Sequence, residues 1–198
     1  MAGNAINLAD GQRAERKTLI TVAEWDGTKY GGTAKDREML GTRTEDSSIE
    51  FNADISTSTD IRGITYTDVN KTEPSQSFDP FYIMGGSKLG SYLTQAALKN
   101  DIQAYNNVFT LYIITAFIGT AGKWYTVKHV KCSIIPQSIG GDSYTNMPIE
   151  VHYSNDITEG YVTGSDAGKL DADFEFKEGV MTVSAGTDLK IGTVSDKK

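Results

Sequence analysis

The chain has 198 residues, 38% hydrophobic and 23% charged, a balance that excludes a disordered chain and suits one domain with an appended hairpin or tail. Its net charge of −7 and pI of about 4.8 disfavour a tight phosphate binder, which would be basic. Its single cysteine, Cys132, rules out an internal disulfide framework.

Residues Met1 to Lys17 are polar, lack an apolar secretory core and read as a loose arm without a signal peptide. "TLITVAEW" (Thr18 to Trp25) is the first predicted strand, stopped by Asp26-Gly27. Residues 27–46 are rich in Gly, Thr and charge and read as a loop or edge hairpin. "SIEFNADI" (Ser48 to Ile55) alternates, which predicts a strand packed on one side. Its apolar face would be Ile49, Phe51, Ala53 and Ile55; Glu50, Asn52 and Asp54 would face the other way.

The next stretch, "DIRGITYTDVNKTEPSQSFDP" (Asp60 to Pro80), has strand character but little apolar content. "ITYTDV" and "EPSQSFD" flank "NKT", which predicts a hairpin turning there, within an extended hairpin over about 56–81. Pro74 cannot donate to a ladder, so its strand lies at an edge or near its own start. "SKLGSYLTQAALKN" (Ser87 to Asn100) is the one clear helix. Ser87 suits the N-cap, Leu89, Leu93, Ala96 and Ala97 form an apolar stripe, and Lys99 suits the C-terminal end.

"VFTLYIITAFI" (Val108 to Ile118) is nearly all apolar and predicts a central strand covered on both faces. Its longest apolar run, Leu111 to Ile118, is too short to span a bilayer. "KWYTVKHVKCSIIP" (Lys123 to Pro136) and "MPIEVHYS" (Met147 to Ser154) are further strands. "KLDADFEFK" (Lys169 to Lys177) places Leu170, Ala172, Phe174 and Phe176 opposite Asp171, Asp173 and Glu175. Residues 184–198 read as a polar tail. These elements predict an all-β sandwich or partial barrel with one flanking α-helix.

Catalytic signatures are sparse. His129 and His152 sit in predicted strands without the Cys or Asp cluster that zinc requires. Cys132 lies in an alternating strand and reads as a buried structural thiol. "GGSKLG" lacks the P-loop spacing, and no G-x-S-x-G elbow is present. The sequon at Asn70 means nothing without a secretory signal. Two acidic ladders remain: Glu50 with Asp54, and Asp171, Asp173 and Glu175. Residues two apart on a strand lie about 7 Å apart, a separation an inverting glycosidase uses. Such ladders are more simply the wet side of an amphipathic strand, and they could equally line a polar channel.

"DIRGITYTDVNKTEPSQSFDPF" followed by "YIMGGSKLGSYL" resembles the major tail tube proteins of long-tailed bacteriophages, especially of Gram-positive hosts. The resemblance covers Ser48 to Ile118, and the flanks only in general layout. It implies a β-sandwich with one flanking helix whose hexameric rings share an inner β-barrel and stack into a DNA-conducting tube. It is related to the tubes of contractile tails and type VI secretion.

The implied role is structural, with no enzymatic activity and no cofactor. The implied partners are copies of itself, the tape measure, terminator and distal tail proteins, and DNA that passes without sticking. No membrane insertion is expected. The implied location is the virion tail, after synthesis in a bacterial host cytoplasm. The hairpin would then contact a neighbour through Asp60, Arg62, Tyr66, Asp68, Asn70 and Lys71. Glu50, Asp54, Asp171, Asp173 and Glu175 are the candidates to face the lumen. The portion from Gly179 onward is short for an added immunoglobulin-like decoration domain, so none is expected.

Three rivals stay open. A tail terminator would form one ring and no tube. A glycan-binding or adhesion module would need an aromatic platform, for which Tyr66, Tyr82 and Trp124 are scattered candidates. A glycan hydrolase would use the acidic ladder.

Overall fold

The computed structural model of the chain describes residues 6, 8–44, 46–120, 122–163, 170 and 174–179. Among these, strands predominate, with one α-helix and three short 3-10 turns. The strands are β1 (Leu19–Trp25), β2 (Asp36–Met39), β3 (Ile49–Glu50), β4 (Ala53–Thr59), β5 (Thr65–Thr72) and β6 (Ser75–Phe78). After helix α1 (Lys88–Leu98) come β7 (Phe109–Thr120), β8 (Lys123–Pro136), β9 (Ile149–His152), β10 (Ile157–Thr163) and β11 (Phe176–Glu178).

The main sheet runs β2-β1-β7-β8-β9-β6-β3, and β10 pairs with β8 and carries β11. All its pairings are antiparallel, and the path does not close into a barrel. Strand β8 reaches two regions because it bends. Phe109 opposes Cys132 and Leu111 opposes His129, so β8 carries one extra residue there, with Lys131 at φ 58°. A bulge of this kind kinks its strand. Before it, β8 pairs with β10 from Lys123 to His129; after it, with β9 from Ser133 to Pro136.

Strand β7 is covered on both faces, as its apolar run predicts. Phe109 and Leu111 enter one core, and Tyr112 and Ile114 the other. Leu111 and Ile114 are fully buried, each contributing about 1.5–3 kcal/mol of hydrophobic transfer. The first core lies under α1. Leu89, Leu93 and Ala96 pack with Phe78, Ile134, Ile149 and Val151. Tyr92, outside the predicted stripe, is also buried, its ring 6.0 Å from Trp25 and 6.2 Å from Phe109.

The helix start is tied to edge strand β2. Ser87 caps it by accepting the Gly90 N–H at 2.9 Å. Glu38 accepts the Leu89 N–H at 2.9 Å and the Ser87 hydroxyl at 2.7 Å, placing negative charge where the helix dipole favours it. Lys88 pairs with buried Asp36 at 2.9 Å.

The second core covers the opposite face: Ile20, Val22, Tyr112, Ile114, Trp124 and Val162 pack under Leu170 and Phe174. The Arg37 guanidinium lies 4.8 Å from the Phe174 ring and 5.4 Å from that of Tyr112, and it pairs with Glu24. Gly160 is required beside β11. A Cβ there would come within 2.7 Å of the Phe176 ring and 2.3 Å of the Lys177 carbonyl.

Three expectations are corrected. Ser48 to Ile55 is not one strand: β3 ends at Glu50 and β4 begins at Ala53, because Asn52 turns the backbone to φ 44°. Of its predicted core face, Ile49 packs against the first core, while Phe51, Ala53 and Ile55 are exposed. The hairpin does not turn at Asn70–Thr72. Those residues lie within β5, and the chain reverses at Asp60–Ile64, so the free hairpin spans Ala53–Thr72 rather than about 56–81. Within Lys169 to Lys177, Leu170, Phe174 and Glu175 are not in a strand and β11 starts at Phe176, while residues 169 and 171–173 lie outside the described residues. Strand β10 was not foreseen. The polar tail lies outside the described residues. Of the arm, Ile6 bridges to Ile118 and Arg16–Thr18 form a 3-10 turn.

Candidate functional site

The polar hairpin is the feature that the body of the fold does not absorb. Strands β3 and β4 run on into one another, as do β5 and β6, forming one long ribbon. Its base is held firmly. Ile49 pairs with Gln76, and β6 pairs with β9. Gln76 is buried; its carbonyl accepts the Tyr153 hydroxyl at 2.5 Å and the Thr21 hydroxyl at 3.0 Å, and its amide donates to Ser47 at 3.0 Å. A buried amide satisfied on both sides fixes the position of the strand that carries it.

Beyond this base the ribbon bends. The Asn52 side-chain amide donates to the Glu73 carbonyl at 3.0 Å and to the Ser75 hydroxyl at 2.9 Å. The Glu73 N–H donates to the Phe51 carbonyl at 3.1 Å, and Pro74 has no N–H to offer. Strands β4 and β5 then leave the sheet and, among the described residues, pair only with each other. Every residue of β4 is exposed, and every residue of β5 except Thr72.

The tip is built by one aspartate. Asp60 accepts the N–H groups of Arg62 and Ile64 at 2.8 and 2.9 Å, and the Gly63 N–H donates back to the Asp60 carbonyl at 2.9 Å. Gly63 supplies the positive φ of 80° that the turn needs. The Ile64 N–H, foremost among these donors, holds the Asp60 carboxyl below its ordinary range. Ile61, beside it, is fully exposed.

The six contact candidates therefore share one element but not one role. Asp60 is committed to the turn, and Arg62 pairs with it at 3.2 Å. The Tyr66 hydroxyl reaches Asp60 at 3.4 Å. Asn70 sits at a bulge between Asp54 and Ser56, at 3.5 and 3.4 Å. Lys71 pairs with Glu73 at 2.7 Å. The Asp68 side chain makes no hydrogen bond or ion pair among the described residues.

The acidic candidates are dispersed. Glu50 is on β3 and Asp54 beyond the bend on β4, so they do not form the continuous ladder expected of one strand. Glu50 instead lines a cleft of about 270 Å³ with Asp46, Asp79 and Glu150. Three separate segments supply these carboxylates, around residues 46–50, 79 and 150, so no local spacing announces the whole group. Asp171 and Asp173 lie outside the described residues; Glu175 is exposed and pairs with Lys177 at 3.3 Å.

Burial raises the Cys132 thiol pKa and lowers that of His129, whose Nδ1 lies 2.8 Å from the Ser154 carbonyl. His152 is half exposed, 3.4 Å from Glu150. Among the described residues, no group of three or more His, Cys, Asp or Glu side chains is placed to hold a metal ion, and no helix is long and apolar enough to cross a membrane. Trp124 is buried in the second core, Tyr66 stands on the hairpin, and Tyr82 meets Tyr144 edge-on at 6.4 Å, so these rings do not form one platform. Comparison of the sequence with known proteins finds no matching family model and no curated relative.

Proposed function

We propose that this chain is a structural, ring-forming subunit of a phage-type tail tube, acting by assembly rather than catalysis. The observation that carries this reading is the hairpin Ala53–Thr72, a two-stranded sheet with, among the described residues, both edges unpaired and both faces in water. Such a hairpin is marginal alone, and three strands or a covering surface normally stabilise one. An exposed strand edge is also a template for pairing with another chain. Its base is pinned into the sheet through Gln76, so the hairpin projects from a fixed support.

A ring satisfies these demands together. Each copy offers one free β4 edge and one free β5 edge, and a head-to-tail contact between unlike edges closes into a ring when the rotation closes. The resemblance over Ser48 to Ile118 supports a hexamer, stacking into a tube, a virion location, and contacts with tape measure, terminator and distal tail proteins. A net charge of −7 suits a conduit past which DNA slides, since fixed carboxylates repel phosphate.

Electron microscopy of the purified full chain across a concentration series tests the proposal. Hollow hexameric rings or tubes are the expected result. Single rings that never stack would favour a terminator. A folded monomer at every concentration would overturn the ring-forming reading.

A further inference from the structure

The two faces of the hairpin differ in chemistry. Ile55 pairs with Val69, Thr57 with Thr67, and Thr59 with Thr65. Residues directly opposite in a ladder share a face, and alternate residues on a strand do too. All six are β-branched and none is charged. The other face carries Asp54, Ser56, Ser58, Tyr66, Asp68 and Asn70, with Lys71 opposite Asp54. The hydrogen bonds from Asn70 to Asp54 and from Ser56 to Asn70 confirm that these three point the same way.

We propose that the hairpin meets a second copy of this chain through its β-branched face and leaves its carboxylate face in water. This rests on the ring-forming function proposed above. Ile55 and Val69 are 57% and 61% exposed, with nothing among the described residues to cover them. β-branched side chains are stiff, so ordering them in a contact costs little rotamer entropy.

Charge distinguishes the two faces. Two copies of a chain with net charge −7 repel one another. A contact through the other face would take Asp54, Asp68 and Lys71 out of water, and burying charges is costly unless each is paired. The β-branched face brings no charge to the contact. Edge polarity points to the occupant. With β5 of one copy beside β4 of the next, the antiparallel alternation continues, so the chain supplies both halves of the contact.

Seven ladder pairs span roughly 24 by 10 Å, about 240 Å² for one face, against about 800 Å² per partner in a stable interface. The face therefore works together with edge pairing and contacts of the body.

Paired cysteine substitutions at neighbouring positions test the assignment. Thr57→Cys reports on the β-branched face and Ser56→Cys on the carboxylate face; Thr59→Cys and Ser58→Cys form a second pair. Each full-length variant is labelled with a maleimide below and above the assembly concentration. Wild type, with Cys132 buried, gives the background, and circular dichroism checks the fold. Assembly should slow labelling at 57 and 59 by roughly tenfold or more, as burial in a contact does, and leave 56 and 58 nearly unchanged. Protection at 56 and 58 with 57 and 59 still reactive overturns the face assignment, as does equal behaviour of all four in assembled protein. Either result leaves the ring itself standing. A chain that never assembles overturns both proposals.

Discussion

The Asn52 side-chain amide donates to the Glu73 carbonyl at 3.0 Å, bridging the two strands of the ribbon where it leaves the sheet. Asn52 also holds φ at 44°, a conformation asparagine tolerates better than most residues. One residue thus both bends the chain and clamps the bend.

Separating these two roles gives the first prediction. Asn52→Gly keeps the backbone conformation and removes both side-chain bonds. Hydrogen exchange at Glu73 and through residues 53–72 should quicken, while global stability falls by about 1 kcal/mol. Asn52→Val adds steric strain at positive φ and should cost about 1–2 kcal/mol more. Exchange mass spectrometry with urea unfolding measures both. Unchanged exchange in Asn52→Gly would assign the clamp to the Glu73 N–H alone.

The turn at Asp60 predicts a dependence on pH. Its carboxyl pKa is lowered from 3.8, first by the Ile64 N–H, with partial desolvation opposing and the N–H and guanidinium of Arg62 and the Tyr66 hydroxyl reinforcing. A depressed carboxylate stabilises the fold fully above its ordinary pKa, and that contribution is lost as pH falls through the depressed value. The tip should therefore hold at neutral pH and loosen only below about pH 3.8, the ordinary value. Amide shifts of Arg62 and Ile64 across an acid titration report it directly. Asp60→Ala should loosen the tip at every pH and abolish that transition.

At the other end of the fold, Glu38 joins β2 to the start of α1. Glu38→Ala removes the acceptors of the Leu89 N–H and the Ser87 hydroxyl. The expected cost is about 1–2 kcal/mol, the range of a lost helix cap or a charge-assisted bond. Glu38→Gln keeps an acceptor oxygen and should recover part of it. Urea midpoints at constant m-value decide the outcome, and a midpoint unchanged in Glu38→Ala would show that Ser87 suffices as the cap.

The sequence by itself determined the elements whose signal is local. The unbroken apolar run of β7 demands cover on both faces, and the structure supplies it through Leu111 on one side and Ile114 on the other. The stripe of Leu89, Leu93 and Ala96 and the Ser87 cap specify α1 within a residue or two, since helix periodicity and capping involve only near neighbours.

Tertiary structure decided the rest. In the polar ribbon, alternation carries no burial and did not distinguish a reversal at Asn70–Thr72 from one at Asp60–Ile64, although Asp60 and Gly63 carry the local turn chemistry for the second. Pairing settled it: Ile55 found Val69, and Gln76 found Tyr153 and Thr21 in the core. The break at Asn52 was hidden because a single left-handed residue leaves the hydrophobic alternation around it intact. The cleft of Asp46, Glu50, Asp79 and Glu150 exists only because β9 brings its strand beside β6 and β6 pairs with β3. Strand order is set by which surfaces can be buried together across the whole chain, a long-range competition that a run of neighbouring residues does not encode.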